Sequence, residues 1–96
     1  MIQQVTITTE SAESIKPLVE SAIQERLKTL AFGISRTRER LAAFEKQYGM
    51  TTEEFARRFD GVDLKETLDF IEWSGEIKML RLLEERRDAL QNTGIR

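Results

Sequence analysis

The sequence has 96 residues, of which a third are charged and two fifths are apolar, and its formal net charge is −2. That length suits one domain, and that balance is typical of a folded globular chain rather than a disordered one. The nearly neutral total gives no general attraction to nucleic acid or to acidic membranes.

Histidine and cysteine are both absent. Their absence removes the commonest general base and the usual zinc ligands, and it excludes a disulfide framework. We therefore expect a protein that is not an enzyme and that holds no metal or cofactor. We also expect a cytoplasmic protein, because no apolar run reaches the roughly 18–20 residues that span a bilayer and the N-terminus lacks the features of a signal peptide.

The first predicted element is a strand over residues 2–9, in which β-branched residues alternate with polar ones. Nothing later in the chain has the pattern of a second strand, and a lone strand leaves its backbone groups without partners. This arm, residues 1–10, is therefore either a flexible tail or a strand that pairs outside its own chain. In the second case one face is the candidate partner-binding site, formed by Gln3, Val5, Ile7 and Thr9.

A long helix is predicted over residues 15–48, with Ser14 as N-cap and Pro17 in the first turn. Its inner positions step by three and four residues, which is the spacing of a coiled-coil seam. We call them the α1 seam: Ile23, Leu27, Leu30, Ile34, Thr37, Leu41, Phe44 and Tyr48. Gly33 is a poor helix former, but the stepping of the α1 seam by three and four residues continues through it without a shift. We therefore expect one helix, with a break at Gly33 as the alternative.

Such a helix is a rod of about 50 Å, too long for the remaining half-chain to cover. We therefore expect part of the α1 seam to meet a second copy, so that the chain is a homodimer. The candidate self-association residues are Ile23, Leu27, Leu30, Ile34 and Leu41.

A corner follows the long helix. Gly49 is placed to end it as a C′ glycine, and Thr51 with Glu54 forms a capping box that opens a short helix over residues 52–59. Phe55 and Phe59 lie on the inner face of that helix, so we interpret the aromatic residues of this region as a packed joint between helices.

A second capping box over residues 63–66 predicts a last helix that runs to about Gln91 and folds back along the first. Its apolar face is broader than one seam, which suits a helix with more than one neighbour. Residues 92–96 are expected to fray. The predicted fold is mainly α: an N-terminal strand, then a helical hairpin over residues 11–96 within a single domain.

Three groups of residues are candidate sites. An acidic run could bind a hard cation, but a solvated face is the better interpretation of Asp60, Asp63, Glu66, Asp69, Glu72 and Glu76. A basic group could contact phosphates or form ion pairs within or between chains, and it consists of Arg36, Arg38 and Arg40. Trp73 precedes the small residues Ser74 and Gly75, so it is either a core residue or an interface anchor.

Two short motifs resemble a known group of proteins. These are Y-G-M-[ST]-x-E-E-F, here residues 48–55, and L-D-x-x-E-W, here residues 68–73. Within residues 36–87 the chain is similar to small antitoxin-like proteins of bacteria and archaea, which are encoded beside short toxin genes in type II toxin–antitoxin modules. The resemblance implies protein binding and carries over no catalytic residues.

The hypothesis from sequence is a non-catalytic interaction module, an antitoxin that binds and neutralises a small toxin encoded nearby. The alternative is a regulator that binds nucleic acid through Arg36, Arg38 and Arg40. In either case we expect no association with a membrane.

Overall fold

The chain is mainly helical, as predicted, with a long helix and a return helix packed against it. The computed structural model describes residues 3–5, 12–60 and 63–95. Its elements in chain order are β1 (Gln3–Val5), α1 (Ala12–Tyr48), α2 (Thr52–Asp60), α3 (Leu68–Gln91) and β2 (Thr93–Ile95). Helices α1 and α3 form the hairpin, and α2 fills the corner between them.

α1 is one helix that passes through Gly33 without a break. A Cβ at Gly33 would lie 3.4 Å from a methyl carbon of Leu83, which is a van der Waals contact, so Leu83 of α3 packs directly on this glycine. α1 begins at Ala12, three residues earlier than predicted, and Pro17 lies inside the helix rather than in its first turn. The helix tolerates Pro17 at the loss of one backbone hydrogen bond, which otherwise goes to the carbonyl four residues earlier.

The corner after α1 has the predicted capping. Gly49 has φ 64°, a left-handed conformation that favours glycine, and it donates its backbone N–H to the Glu45 carbonyl at 2.9 Å. The Thr51 hydroxyl accepts from the Glu54 backbone N–H at 3.1 Å. The Glu45 carboxylate supplies a further cap by accepting from the Thr52 backbone N–H at 2.7 Å.

The predicted start of the last helix is wrong. α3 begins at Leu68 and its N-cap is Thr67, whose hydroxyl accepts from the Phe70 backbone N–H at 3.1 Å. Asp63, the expected cap, instead donates its own backbone N–H to the Arg58 carbonyl at 2.9 Å and so belongs to the end of α2. Two capping patterns lie four residues apart here, and only the path of the chain from α2 to α3 selects between them.

The core has two parts. The corner core contains Leu41, Phe55 and Trp73, surrounded by partly buried apolar side chains from all three helices. Further along the hairpin, Leu30, Ile34 and Thr37 are buried, and the Thr37 hydroxyl is satisfied by the Gly33 carbonyl at 2.9 Å. The α1 seam is thus the face of α1 that packs on α3.

The N-terminal strand predicted over residues 2–9 is not supported. Only Gln3–Val5 of that range is described, and it pairs in parallel over three residues with Thr93–Ile95 of the same chain. Ile7 and Thr9 lie outside the described residues, as does Gly61. The described part of the tail that was expected to fray, Thr93–Ile95, takes part in that pairing.

The molecule is a rod measuring 60 × 21 × 18 Å with a radius of gyration of 18.8 Å, against about 13 Å for a compact domain of this length. α1 with its 37 residues is about 55 Å long, and α3 with its 24 residues is about 36 Å long. α1 therefore extends past the end of α3. Among the helices that the structure describes, none combines the length and the apolar character of a membrane span.

Candidate interaction surfaces

Trp73 lies in the centre of the corner core. None of its surface is exposed, its ring stacks on Phe55 with centroids 4.0 Å apart, and its indole N–H donates to the Thr52 hydroxyl at 3.2 Å. Phe44 stacks on it at 5.4 Å. An interface anchor must be reachable by a partner, so this geometry places Trp73 in the chain's own core, the other interpretation that the sequence allowed.

Tyr48 ties the end of α1 to the start of α3 by donating its hydroxyl to the Asp69 carboxylate. This hydrogen bond, with partial burial and the nearby negative charge, raises the pKa of the Tyr48 phenol above its usual 10.0. Gln47 also donates to Asp69, at 3.4 Å. Asp69, from the acidic run, therefore has a structural role at the corner.

The five candidate self-association residues of the α1 seam divide into two groups. Leu30, Ile34 and Leu41 are buried by α3 of the same chain. Ile23 and Leu27 are half-buried, and they line a groove with Leu90 and Gln91, at the last turn of α3. One chain thus covers most of the surface that the sequence assigned to a second copy, and association through this seam stays a prediction.

The basic group of α1 is largely engaged within the chain. Arg38 contacts Glu84 at 2.8 Å and Arg40 contacts Glu76 at 3.4 Å, both across the hairpin. The guanidinium of Arg36 lies 5.7 Å from the centre of the Phe32 ring, and among the described residues it has no carboxylate partner. Charge pairing within the chain, one of the predicted roles, accounts for two of the three arginines.

The acidic run does not converge. Among residues 3–5, 12–60 and 63–95, no group of three or more acidic side chains is arranged to hold a metal ion. Glu76 is held by Arg40, and its second carboxylate oxygen is buried without a hydrogen-bond partner in the described structure.

The sequence interpretation did not identify the outer face of α3 as a surface. Its large apolar side chains are 40–79% exposed and point away from α1: Leu68, Ile71, Met79 and Leu82. Gly75 lies among them, and a Cβ there would meet nothing within 4 Å. We call these five residues the α3 outer face. The sequence indicated this surface only through the breadth of the apolar face of α3. It did not indicate which of those apolar residues would pack on α1.

Two other large apolar side chains are exposed on α1. Leu18 is 69% exposed and Phe32 is 65% exposed. Because α1 is longer than α3, its first three turns extend past the last turn of α3, although Lys16 and Glu20 line the same groove as Ile23, Leu27, Leu90 and Gln91. We call this part, residues 12–22, the open end of the hairpin.

In comparisons with known proteins, the chain matches no family model, no curated protein and no solved structure. The resemblance to antitoxin-like proteins gains no support from them and stays a prediction.

Proposed function

We propose that this chain is a non-catalytic protein-interaction module that binds and neutralises a small protein partner, as an antitoxin does. The observation that carries the proposal is the open end, where α1 continues past its partner helix and exposes Leu18. Because no second helix among the described residues lies beside this part of α1, its face is available to a partner that recognises a helix.

The composition of the open end also suits a protein partner. The groove beside it is lined by the apolar Ile23, Leu27 and Leu90 and by polar residues that include Lys16 and Glu20, whereas Leu18 is not part of this lining. A lining that mixes apolar residues with charges of both signs is compatible with the polar rim of a protein interface.

The described part of the arm belongs to the same end of the molecule. Gln3–Val5 lies beside Thr93–Ile95, which follows the end of α3. We propose that the arm residues Gln3, Val5, Ile7 and Thr9 contribute to partner binding, since strand addition gives affinity through main-chain hydrogen bonds. The class of the partner, a toxin encoded nearby, rests on the resemblance of residues 36–87.

The test is co-expression of the chain with the neighbouring short reading frame, measuring growth and co-purification. We expect growth rescue and a stable complex. Leu18→Glu should weaken the complex by about tenfold or more, because it places a charge in an apolar contact. Phe32→Glu is the matched control, since Phe32 is similarly exposed but lies outside the open end.

Two results would overturn the proposal. One is a neighbouring product that is neither toxic nor retained by the chain. The other is a complex that Leu18→Glu and removal of the arm both leave intact, since the open end would then not be the binding site.

The alternative, a nucleic-acid-binding regulator, stays a prediction that the same protein can test. Binding to duplex DNA should fall steeply as salt rises, and Arg36→Ala should weaken it if phosphates are contacted. Arg38 and Arg40 already contact carboxylates, which reduces their attraction to phosphates. Indifference to salt and to Arg36→Ala would exclude this function.

A further inference from the structure

The outer face of α3 has the spacing of a second coiled-coil seam. Leu68, Ile71, Gly75, Lys78 and Leu82 step by three and four residues along α3, and Met79 lies beside them. All six are exposed, and within the described residues no other element lies over them. A surface helix normally presents its polar side to water, so an exposed apolar seam indicates a contact that the single chain does not make.

The position of Gly75 on the α3 outer face is a second observation that indicates a contact there. A glycine in the middle of a helix lowers the stability of that helix, and it persists where the backbone of another element comes close. A Cβ at Gly75 would meet nothing within 4 Å in the single chain. Gly33 shows the contrast, because Leu83 of the same chain lies against it. Among the described residues, nothing makes the contact that Gly75 permits.

The charges of this face fit a second copy in antiparallel orientation. In an antiparallel pair centred between Gly75 and Lys78, Ile71 lies opposite Leu82 of the second copy and Gly75 lies opposite its Lys78. The aliphatic stem of Lys78 then covers the glycine, and its ammonium group reaches towards Glu72 of the second copy. Neither Glu72 nor Lys78 has an ion-pair partner among the described residues.

A parallel pair is disfavoured by the same residues. In a parallel symmetric dimer each seam position meets its own copy, so Lys78 would face Lys78 within the seam. Like charges at such close positions destabilise helix pairs. The face is complementary to itself only when one copy is reversed.

We propose that the α3 outer face pairs with the same face of a second copy, with the two α3 helices antiparallel and crossing closely at Gly75. The homodimer then has its open ends, the proposed partner-binding sites, directed away from each other. This inference does not depend on the partner or on toxin neutralisation, because it concerns the chain alone. The face from Leu68 to Leu82 is only about 21 Å long, so we expect a micromolar dissociation constant.

The first test is sedimentation equilibrium of the isolated chain over a concentration series that extends to hundreds of micromolar. We expect a monomer–dimer equilibrium that Ile71→Glu shifts to monomer. Glu39→Lys on the far side of α1 is the control for a surface charge change and should leave the dissociation constant unchanged. A chain that stays monomeric throughout, or dimerises equally well with Ile71→Glu, would overturn the proposal.

Gly75→Ala separates an interface role from a structural one. In the single chain the new methyl group has free space and improves helix propensity, so the monomer should unfold at a higher temperature. In the dimer it meets the second copy, so the dissociation constant should rise by about tenfold. A dissociation constant that falls or stays constant would contradict the close crossing.

Orientation is tested by cross-linking, which the cysteine-free sequence makes direct. A mixture of Ile71→Cys chains and Leu82→Cys chains should join through a short thiol cross-linker, and Ile71→Cys chains alone should not. The reverse pattern would show a parallel pair. The charge exchange gives a second check: Glu72→Lys and Lys78→Glu should each weaken the dimer, and the double variant should restore it.

Discussion

Phe55 is one of the two fully buried aromatic residues of the corner core. It is fully buried, and its ring lies parallel to that of Trp73 with centroids 4.0 Å apart. We expect Phe55→Ala to lower the free energy of unfolding by about 3–5 kcal/mol, because it leaves a cavity in the corner core. Urea denaturation measures this loss. Phe32→Ala is the matched control, and because Phe32 is exposed its loss should stay within about 0.5 kcal/mol.

Tyr48 makes stability depend on alkaline pH. Its pKa is raised in the folded chain because the phenol donates to Asp69 and must lose that hydrogen bond on ionisation. A raised pKa means that the unfolded state releases this proton first. The stability that the Tyr48–Asp69 hydrogen bond gives to the folded chain is complete below the pKa of Tyr48 in the unfolded chain, near 10.0. It is lost as the pH rises through the pKa of Tyr48 in the folded chain.

The expected result is a fall in the unfolding midpoint above about pH 10 that is smaller in Tyr48→Phe. Thermal unfolding at pH 8 and at pH 10.5 measures it. An equal fall in both proteins would mean that other groups control the alkaline transition.

At the scale of elements, the start of α3 offers a direct comparison of two capping residues. Thr67→Ala removes the hydroxyl that accepts from the Phe70 N–H, so we expect a loss of about 1 kcal/mol. Asp63→Ala should cost less than about 0.5 kcal/mol, because Asp63 acts through its backbone N–H, which alanine keeps. Denaturant titration of both variants measures the two losses of stability. Equal losses would mean that Thr67 is not the residue that caps α3.

Elements also show how far periodicity alone leads. The stepping of the α1 seam identified the buried face of α1, from Leu30 and Ile34 to Leu41, because those steps match the helical repeat. The same reasoning predicted that a second copy of the chain would cover the α1 seam, whereas α3 of the same chain covers most of that seam. Periodicity says which side of a helix is buried and does not say what buries it.

At the scale of the whole molecule, the hairpin brings a basic stretch beside an acidic one. Residues 26–52 carry six positive and two negative side chains, and residues 53–76 carry eight negative and three positive ones. The pairs Arg38–Glu84 and Arg40–Glu76 cross the hairpin at its surface. Their arginines are more than half exposed, so solvent screens both pairs and limits their contribution.

We expect Arg40→Ala to destabilise the hairpin more than Arg38→Ala, with both losses at or below about 1 kcal/mol. The reason is that Glu76 is less exposed than Glu84, at 21% against 32%, and keeps one buried oxygen without a partner. Urea denaturation at low and at high salt measures both losses. A larger loss for Arg38→Ala would contradict this ranking.

The sequence by itself determined the helices, the left-handed glycine after α1, the aromatic corner and the elongated shape. Each of these depends on local chemistry: the helical repeat, the conformation of Gly49, the Thr51 cap and the length of an unbroken seam. Only the tertiary structure decided that Thr67 rather than Asp63 caps α3, that Trp73 is a core residue, and that Leu68, Ile71, Met79 and Leu82 face outward. The cap depends on the path of the chain from α2 to α3. The other two outcomes depend on which of two apolar stripes on α3 meets α1, a choice made by packing against residues distant in the chain, such as Phe44 and Gly33.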